Sequence, residues 1–299
     1  MKTADAARGK WRGILLQIGI EERFLRDKHG PCPMCGGLDR YRWDNKGGTG
    51  SYICGQCGAG NGFDLAMNVL NMGFVEVAKL VDGIVGNVKA EPIRKPMDDA
   101  KRVELLNTLW AQSKLLVRTD LVCRYLSARG IVLTERLEAL RFHPRCRAPD
   151  GSEHPAMLAM VTNSDGTPVT IHRTFLGDGC KANMASPRAL MPGEIPDGAA
   201  IQLSAPFEKM GIAEGIETAL AASLKFGIPV WAAINSTMMK KWEPPVIARE
   251  IVVFGDNDPK FGGAAAAYTL AHKLAVKGCA VTVEIPQKRG SDWADEIAA

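Results

Sequence analysis

Two Cys-x-x-Cys pairs, Cys32-Pro-Met-Cys35 and Cys54-Gly-Gln-Cys57, stand 18 residues apart near the start of this 299-residue chain. They constrain its fold more than any other feature. Each pair lets one short turn present two thiolates to a single ion, and the segment between them is long enough for a β-hairpin. This is the spacing of a closed tetrahedral zinc site, with Cys32, Cys35, Cys54 and Cys57 filling all four positions and none left open for catalysis. Gly36, Gly37 and Gly58 follow the pairs, where a metal knuckle needs unusual backbone angles. A redox Cys-x-x-Cys comes as one pair rather than two. His29, three residues before Cys32, is either an alternative ligand or a hydrogen-bonded bystander.

The hairpin between the pairs carries its own pattern. In Asp39-Arg-Tyr-Arg-Trp-Asp44 the residues alternate, so a strand here puts Arg40 and Arg42 on one face and Tyr41 and Trp43 on the other. Cations and flat rings on a small exposed sheet suit single-stranded nucleic acid, because phosphates take the charge and bases stack on the rings. Arg40 and Arg42 are expected to contact phosphate. For Tyr41 and Trp43 two readings stand: a stacking surface, or the small core of the ribbon.

At 46% hydrophobic content the chain can bury a sizeable core in two or three units. It has no apolar run of membrane-spanning length and no apolar stretch of a signal peptide at its start, so a cytoplasmic setting with no membrane partner is expected. Reduced thiols fit that setting, where four clustered cysteines mean metal more than disulfide. Cys123, Cys146, Cys180 and Cys279 are scattered and read as small apolar residues. The net charge of +4 is unevenly spread: residues 1–50 carry ten Lys and Arg against six acids, whereas residues 201–299 carry ten against eleven. Such a gradient fits a chain that holds a polyanion with one part and metal with another.

The chain reads as a multidomain α/β protein. Residues 1–87 form a β-rich zinc ribbon completed by helices over Phe63–Leu70 and Phe74–Ile84, the second ended by Gly86. Residues 88–99, with Pro92 and Pro96, read as a linker. Residues 100–205 open with a helical pattern to about 140 and continue with a β-hairpin, Ala156–Val161 and Val169–Phe175 about a turn at Asn163-Ser-Asp-Gly166. Residues 206–299 alternate strand and helix, with strands at Met210–Glu214, Pro229–Ile234, Glu250–Phe254 and Ala280–Ile285. Apolar strands alternating with helices imply a mostly parallel sheet flanked by helices.

In such a sheet, ligands bind beyond the carboxyl ends of the strands. Glu214 ends the first strand, Asp256 and Asp258 follow the third, and Asp292 lies beyond the fourth. Carboxylates brought together there repel unless a cation neutralises them, and oxygen ligands suit Mg²⁺ or Mn²⁺. The matching chemistry is metal-assisted phosphoryl transfer. Glu217 reads equally as a ligand and as a carboxylate of the helix start.

Gly211-Ile-Ala-Glu-Gly-Ile-Glu-Thr218, Phe254-Gly-Asp-Asn-Asp258 and Gly290-Ser-Asp-Trp-Ala-Asp295 resemble the three motifs of a Toprim domain. His29-Gly-Pro-Cys-Pro-Met-Cys-Gly-Gly-Leu-Asp-Arg40 resembles the N-terminal zinc ribbon of phage and plasmid primases, including the satellite-phage primase–helicase group. The middle, with Arg141-Phe-His-Pro and His172-Arg-Thr-Phe, is similar to Toprim primases of mobile elements. The resemblance implies that Glu214 does acid/base work and that Asp256, Asp258 and Asp292 hold a catalytic Mg²⁺ or Mn²⁺. The bacterial replicative form has an aspartate where this chain has Thr218, so one family ligand is missing. Arg173, Lys181 and Arg188, just upstream, are candidates for nucleotide or template contacts.

The function this implies is a DNA primase making short RNA primers from NTPs on a single-stranded DNA template. The alternatives are a zinc-and-Toprim recombination mediator that only clamps DNA, and a Toprim nuclease. A topoisomerase needs a tyrosine in a large separate domain, for which there is no room, and an oxidoreductase lacks its Gly-x-Gly-x-x-Gly. No Gly-x(4)-Gly-Lys-Ser/Thr loop is present, so a replicative helicase is expected from another protein.

Overall fold

Trp11, Ile14 and Leu15 recur at helical spacing in a stretch whose helices the cysteine pattern does not announce. In the computed structural model, which describes residues 3–92 and 97–298, they lie on α2 (Trp11–Gln17), preceded by α1 (Thr3–Ala7). Strands β1 (Gly30–Cys32), β2 (Gly36–Trp43), β3 (Tyr52–Cys54) and β4 (Gly58–Gly60) follow and form one antiparallel sheet in that order. Tyr41 pairs with Cys54 and Trp43 with Tyr52 across β2 and β3. Helices α3 (Gly62–Leu70) and α4 (Phe74–Val85) complete the unit. The start of α3 is set by Asn61, whose side chain accepts the N–H groups of Phe63 and Asp64 while Asp64 accepts that of Asn61.

The alternation expected of β2 is present, but its aromatic face is covered. Tyr41 and Trp43 are 2% and 5% exposed and sit in one core with Trp11, Ile14, Leu15, Tyr52, Phe63 and Leu65. Of the two readings of these rings, the ribbon core is the one their burial fits and the stacking surface is corrected: they pack with residues of α2 and α3, and Trp43 donates its indole N–H to the carbonyl of Gly50. Part of the expected linker, residues 93–96, lies outside the described residues, as do Met1, Lys2 and Ala299.

The chain divides into two compact units, the first ending at Asp98 and the second starting at Asp99. The second opens with α5 (Asp99–Ala111), β5 (Lys114–Leu115) and α6 (Leu121–Ser127), then β6 (Leu140–Arg147), β7 (Glu153–Thr162), β8 (Pro168–Phe175) and β9 (Arg188–Leu190). The five strands form an antiparallel sheet in chain order. The expected helical stretch to residue 140 therefore breaks at Ala111 and again at Ser127, and the expected hairpin is the centre of a wider sheet. Strand β6 is hard to read because Pro144 falls inside it, where the register with β7 shifts between His143 and Cys146.

Then come β10 (Lys209–Ala213), α7 (Ile216–Phe226), β11 (Val230–Ala232), α8 (Ser236–Lys241), β12 (Glu250–Phe254), α9 (Gly262–Val276), β13 (Ala280–Glu284) and α10 (Trp293–Ala298). Their sheet is wholly parallel in the order β11-β10-β12-β13. One core joins the two parts of the unit: Tyr125, Leu126, Met157 and Ile201 pack with Ala213, Ala219, Phe254 and Trp293. The chain is thus a mixed α/β protein, an antiparallel cysteine-bearing ribbon followed by a unit that ends in a parallel sheet with helices. Among the described residues no helix is long and apolar enough to cross a membrane.

Candidate active site

The four cysteines of the ribbon meet. Their sulfurs all lie within 4.8 Å of one another, with Cys32 and Cys57 at 3.9 Å and Cys35 and Cys54 at 3.7 Å. Sulfurs held tetrahedrally on bonds of about 2.3 Å stand roughly 3.8 Å apart, whereas a disulfide brings them to about 2 Å. The backbone N–H of Met34 points at the Cys32 sulfur, and those of Gln56 and Cys57 at the Cys54 sulfur. Burial and the neighbouring thiols push the Cys57 thiol far up, so the four ionise together only around a cation. These residues fit a structural zinc, which they would hold as thiolates. His29 stands outside the cluster, its Nδ1 2.9 Å from the carbonyl oxygen of Asp39.

The second site lies at the carboxyl ends of the parallel strands. Ala213, Phe254 and Glu284 are in register across β10, β12 and β13, so Glu214 and Asp256 leave adjacent strands one and two residues later. Glu214 is raised above the ordinary carboxylate range by burial, and the charge of Arg188 and the N–H of Ser236 oppose the shift. Asp256 is pushed up to about 7 by burial and then by Glu214, Asp292, Asp258 and Asp295. Its Oδ1 is buried with no hydrogen-bond partner. That oxygen is buried among four other acids without a compensating partner, although among the described residues only the four cysteines bring ligand atoms within 4.8 Å of one another.

Asp258 is fixed by its own turn, accepting the N–H of Lys260 at 3.0 Å and that of Gly263 at 2.6 Å. Gly263 is needed for a steric reason, because a β-carbon there would lie 2.7 Å from the Asp256 carbonyl oxygen. Asn257, between the acids, donates to the carbonyls of Pro286 and Gln287 and exchanges backbone bonds with Gly290 and Ser291. It ties the Asp-x-Asp loop to the segment leading to Asp292. Asp292 is engaged: Arg129 donates to its two oxygens at 3.2 and 3.1 Å. Asp258 and Asp292 thus both have partners, and the buried carboxylate oxygen without a hydrogen-bond partner is that of Asp256.

Glu217 is no ligand to that site. It accepts the hydroxyl of Tyr125 and pairs with Lys181 at 2.9 Å. Burial alone would raise its pKa, but Lys181 and Tyr125 outweigh burial and hold it at about 2. Lys181 is thereby committed to Glu217. Arg173, expected at the nucleotide, is corrected: it is buried and donates to the carbonyls of Arg147 and Leu190 at 2.7 and 3.0 Å. Of the three basic candidates, Arg188 alone is exposed, and its charge reaches Glu214. Beside it a cleft of about 10 Å³ is lined by His172, Gly215, Glu217 and Ile234, the last held at φ 75°, a strained value for a β-branched residue. Tyr125, Arg129 and Asn257 escape sequence reading, since nothing local marks a tyrosine or arginine whose partner lies 92 or 163 residues away.

Comparison with known proteins agrees at both ends. Residues 27–63 match the zinc-binding domain of primase-helicase, and residues 209–299 match the Toprim domain. The chain resembles a Toprim primase with an N-terminal zinc ribbon. Between these, residues 100–203 match a domain of unknown function (DUF7146). Among solved structures, the zinc-binding and RNA polymerase domains of the Aquifex aeolicus primase are 12% identical. That match covers 99% of this chain and 81% of that one, with a TM-score of 0.43. The primase fragment of the bacteriophage T7 primase-helicase protein is 14% identical, with 90% and 93% covered and a TM-score of 0.40. At these scores the likenesses are loose, and no residue role follows from them.

Proposed function

We propose that this chain is a DNA primase, making short RNA primers from NTPs on single-stranded DNA. The observation that carries the reading is the unpartnered, buried Oδ1 of Asp256 beside Glu214 at adjacent strand ends. A protein that merely clamps DNA gains nothing from burying carboxylates against each other, and their repulsion costs it stability. Asp256 and Asp258 would hold Mg²⁺ or Mn²⁺, which when bound supplies charge to the triphosphate and lowers the pKa of an attacking hydroxyl. Glu214, whose pKa burial raises, would accept and return a proton at the reacting oxygen. Arg188, exposed and with its charge reaching Glu214, would offset phosphate charge. The ribbon would hold template through Arg40 and Arg42, and unwinding would come from a separate helicase.

The test is incubation of the zinc-loaded chain with single-stranded DNA, labelled NTPs and Mg²⁺ or Mn²⁺. Short RNA products are expected, and Asp256→Asn, Asp258→Asn and Glu214→Gln should each abolish them while single-strand affinity survives. DNA cleavage in place of synthesis would favour a nuclease. Wild-type synthesis by all three variants would put the chemistry elsewhere.

A further inference from the structure

Phe261 is 64% exposed and opens α9 with a φ of 59°. A bulky side chain in the left-handed region is strained, and a glycine or asparagine would suit that backbone better. The turn is nevertheless fixed on all sides. The Phe261 N–H donates to the carbonyl of Asp258 at 2.9 Å, its own carbonyl accepts the N–H of Ala265 at 2.8 Å, and the Asp258 carboxylate braces the loop between. Arg289 lies against the ring, its guanidinium carbon 5.8 Å from the centroid, and is anchored through a hydrogen bond to the carbonyl of Pro259 at 3.1 Å. Lys260, next to Phe261 in the chain, and Lys288, next to Arg289, are both exposed. An apolar ring is thus held out in water on a fixed turn, with one guanidinium against it, three residues from Asp258.

We propose that Phe261, with Arg289, is a stacking platform for a base of single-stranded nucleic acid led to the carboxylate site. This rests on the primase reading for the role of the carboxylates, though the platform itself needs only a single strand. Every base has a π-face, so one ring serves any sequence, and a guanidinium at its edge adds attraction for base and phosphate. The platform is open rather than concave, which suits a strand held at other points more than a free nucleotide. It also supplies the exposed aromatic that buried Tyr41 and Trp43 do not.

The test uses the full zinc-loaded chain and a fluorescent single-stranded oligodeoxynucleotide, read by anisotropy. Phe261→Ala should bind roughly 5- to 150-fold more weakly, the range for one stacked base, and Phe261→Trp should bind as the wild type does. Arg289→Ala should weaken binding and reduce the salt slope by about one. Tyr268→Ala, which removes a ring 60% exposed two turns further along α9, should change nothing. Because Phe261→Gly relieves the strained φ, its melting temperature should hold or rise while its binding falls as for alanine. Wild-type oligonucleotide affinity in both the alanine and glycine variants overturns the proposal, as does a wild-type chain that binds no single strand. A loss confined to binding of a single NTP would transfer the platform from strand to nucleotide and overturn it as stated. If the chain makes no RNA yet binds the oligonucleotide through Phe261, the platform stands and the primase reading falls.

Discussion

Gly263 passes so close to Asp256 that a β-carbon on it would lie 2.7 Å from the aspartate's carbonyl oxygen and 2.9 Å from its amide nitrogen. Both contacts are to backbone, which has nowhere to rotate, so the Asp-x-Asp loop rests on the absence of a side chain. Gly263→Ala should therefore displace Asp256 and Asp258 although alanine is the better helix former by about 1 kcal/mol. Overpacking of this kind costs about 1–3 kcal/mol. The expected outcome is a lower melting temperature together with at least tenfold weaker Mn²⁺ binding, followed by electron paramagnetic resonance. A variant with unchanged Mn²⁺ affinity would show that the loop position is immaterial.

His172 gives the second unit one pH-dependent contribution, which a variant at that position separates from the opposite contribution of Asp256. It is buried, its Nδ1 has no partner, and burial, then Arg188, lowers its pKa to about 4, against the pull of Glu217. Lys181 and Arg173 act in the same sense as Arg188. A histidine depressed in the folded state contributes stability above its unfolded value near 6.5 that is lost as pH falls toward 4. The loss is on the order of 3 kcal/mol at about 1.4 kcal/mol per unit. Glu217, at about 2, leaves most of this window undisturbed, because its own loss begins below the ordinary carboxylate value. Asp256, raised to about 7, acts in the opposite sense over this window, so the expected outcome is a difference: in denaturant melts from pH 7 to 4.5 the wild type should lose more stability than His172→Gln does.

Zinc removal should act on the ribbon and leave the second unit standing. A structural zinc contributes roughly 10 kcal/mol or more to modules of this size. Cys54→Ser, or a strong chelator, should expose the core around Tyr41, Trp43 and Trp11 to proteolysis, while a fragment beginning near Asp99 survives digestion. Elemental analysis should return one zinc per wild-type chain.

The two arginines of β2 should differ. Arg42 lies 3.1 Å from Asp27 and 3.9 Å from Asp44, so part of its charge is already answered. Among the described residues, the Arg40 guanidinium meets the neutral side-chain oxygen of Gln56 at 3.2 Å and no acid. Arg40→Ala should reduce the salt slope of single-strand binding by about one, as loss of one phosphate contact does, and Arg42→Ala by less. Equal slopes for both variants would mean that the ion pairs open on binding.

What the sequence makes legible here is whatever is local. The cysteine spacing, the strand-and-helix alternation after residue 206, and the placing of Glu214, Asp256 and Asp258 at strand ends all follow from short-range pattern. The alternation of β2 is legible too, but which of its faces meets water depends on α2, which covers the rings from a distant part of the chain. Strand β6 is masked by Pro144, and the roles of Arg173 and Lys181 are masked by partners that no periodicity announces. Arginine on a strand looks the same whether it waits for phosphate or, like Arg173, stitches two backbone carbonyls together.

Glu217 also bears on how such a chain can be cut. A break at residue 205 would strip Glu217 of Lys181 and Tyr125 and strip Asp292 of Arg129. It would also open a core to which Tyr125, Leu126 and Met157 contribute as much as Phe254 and Trp293. An unpaired buried carboxylate by itself costs several kcal/mol, a large share of what a domain has in reserve. The parallel sheet transplanted alone should therefore be less stable than the compact unit that begins at Asp99, which keeps these pairs together.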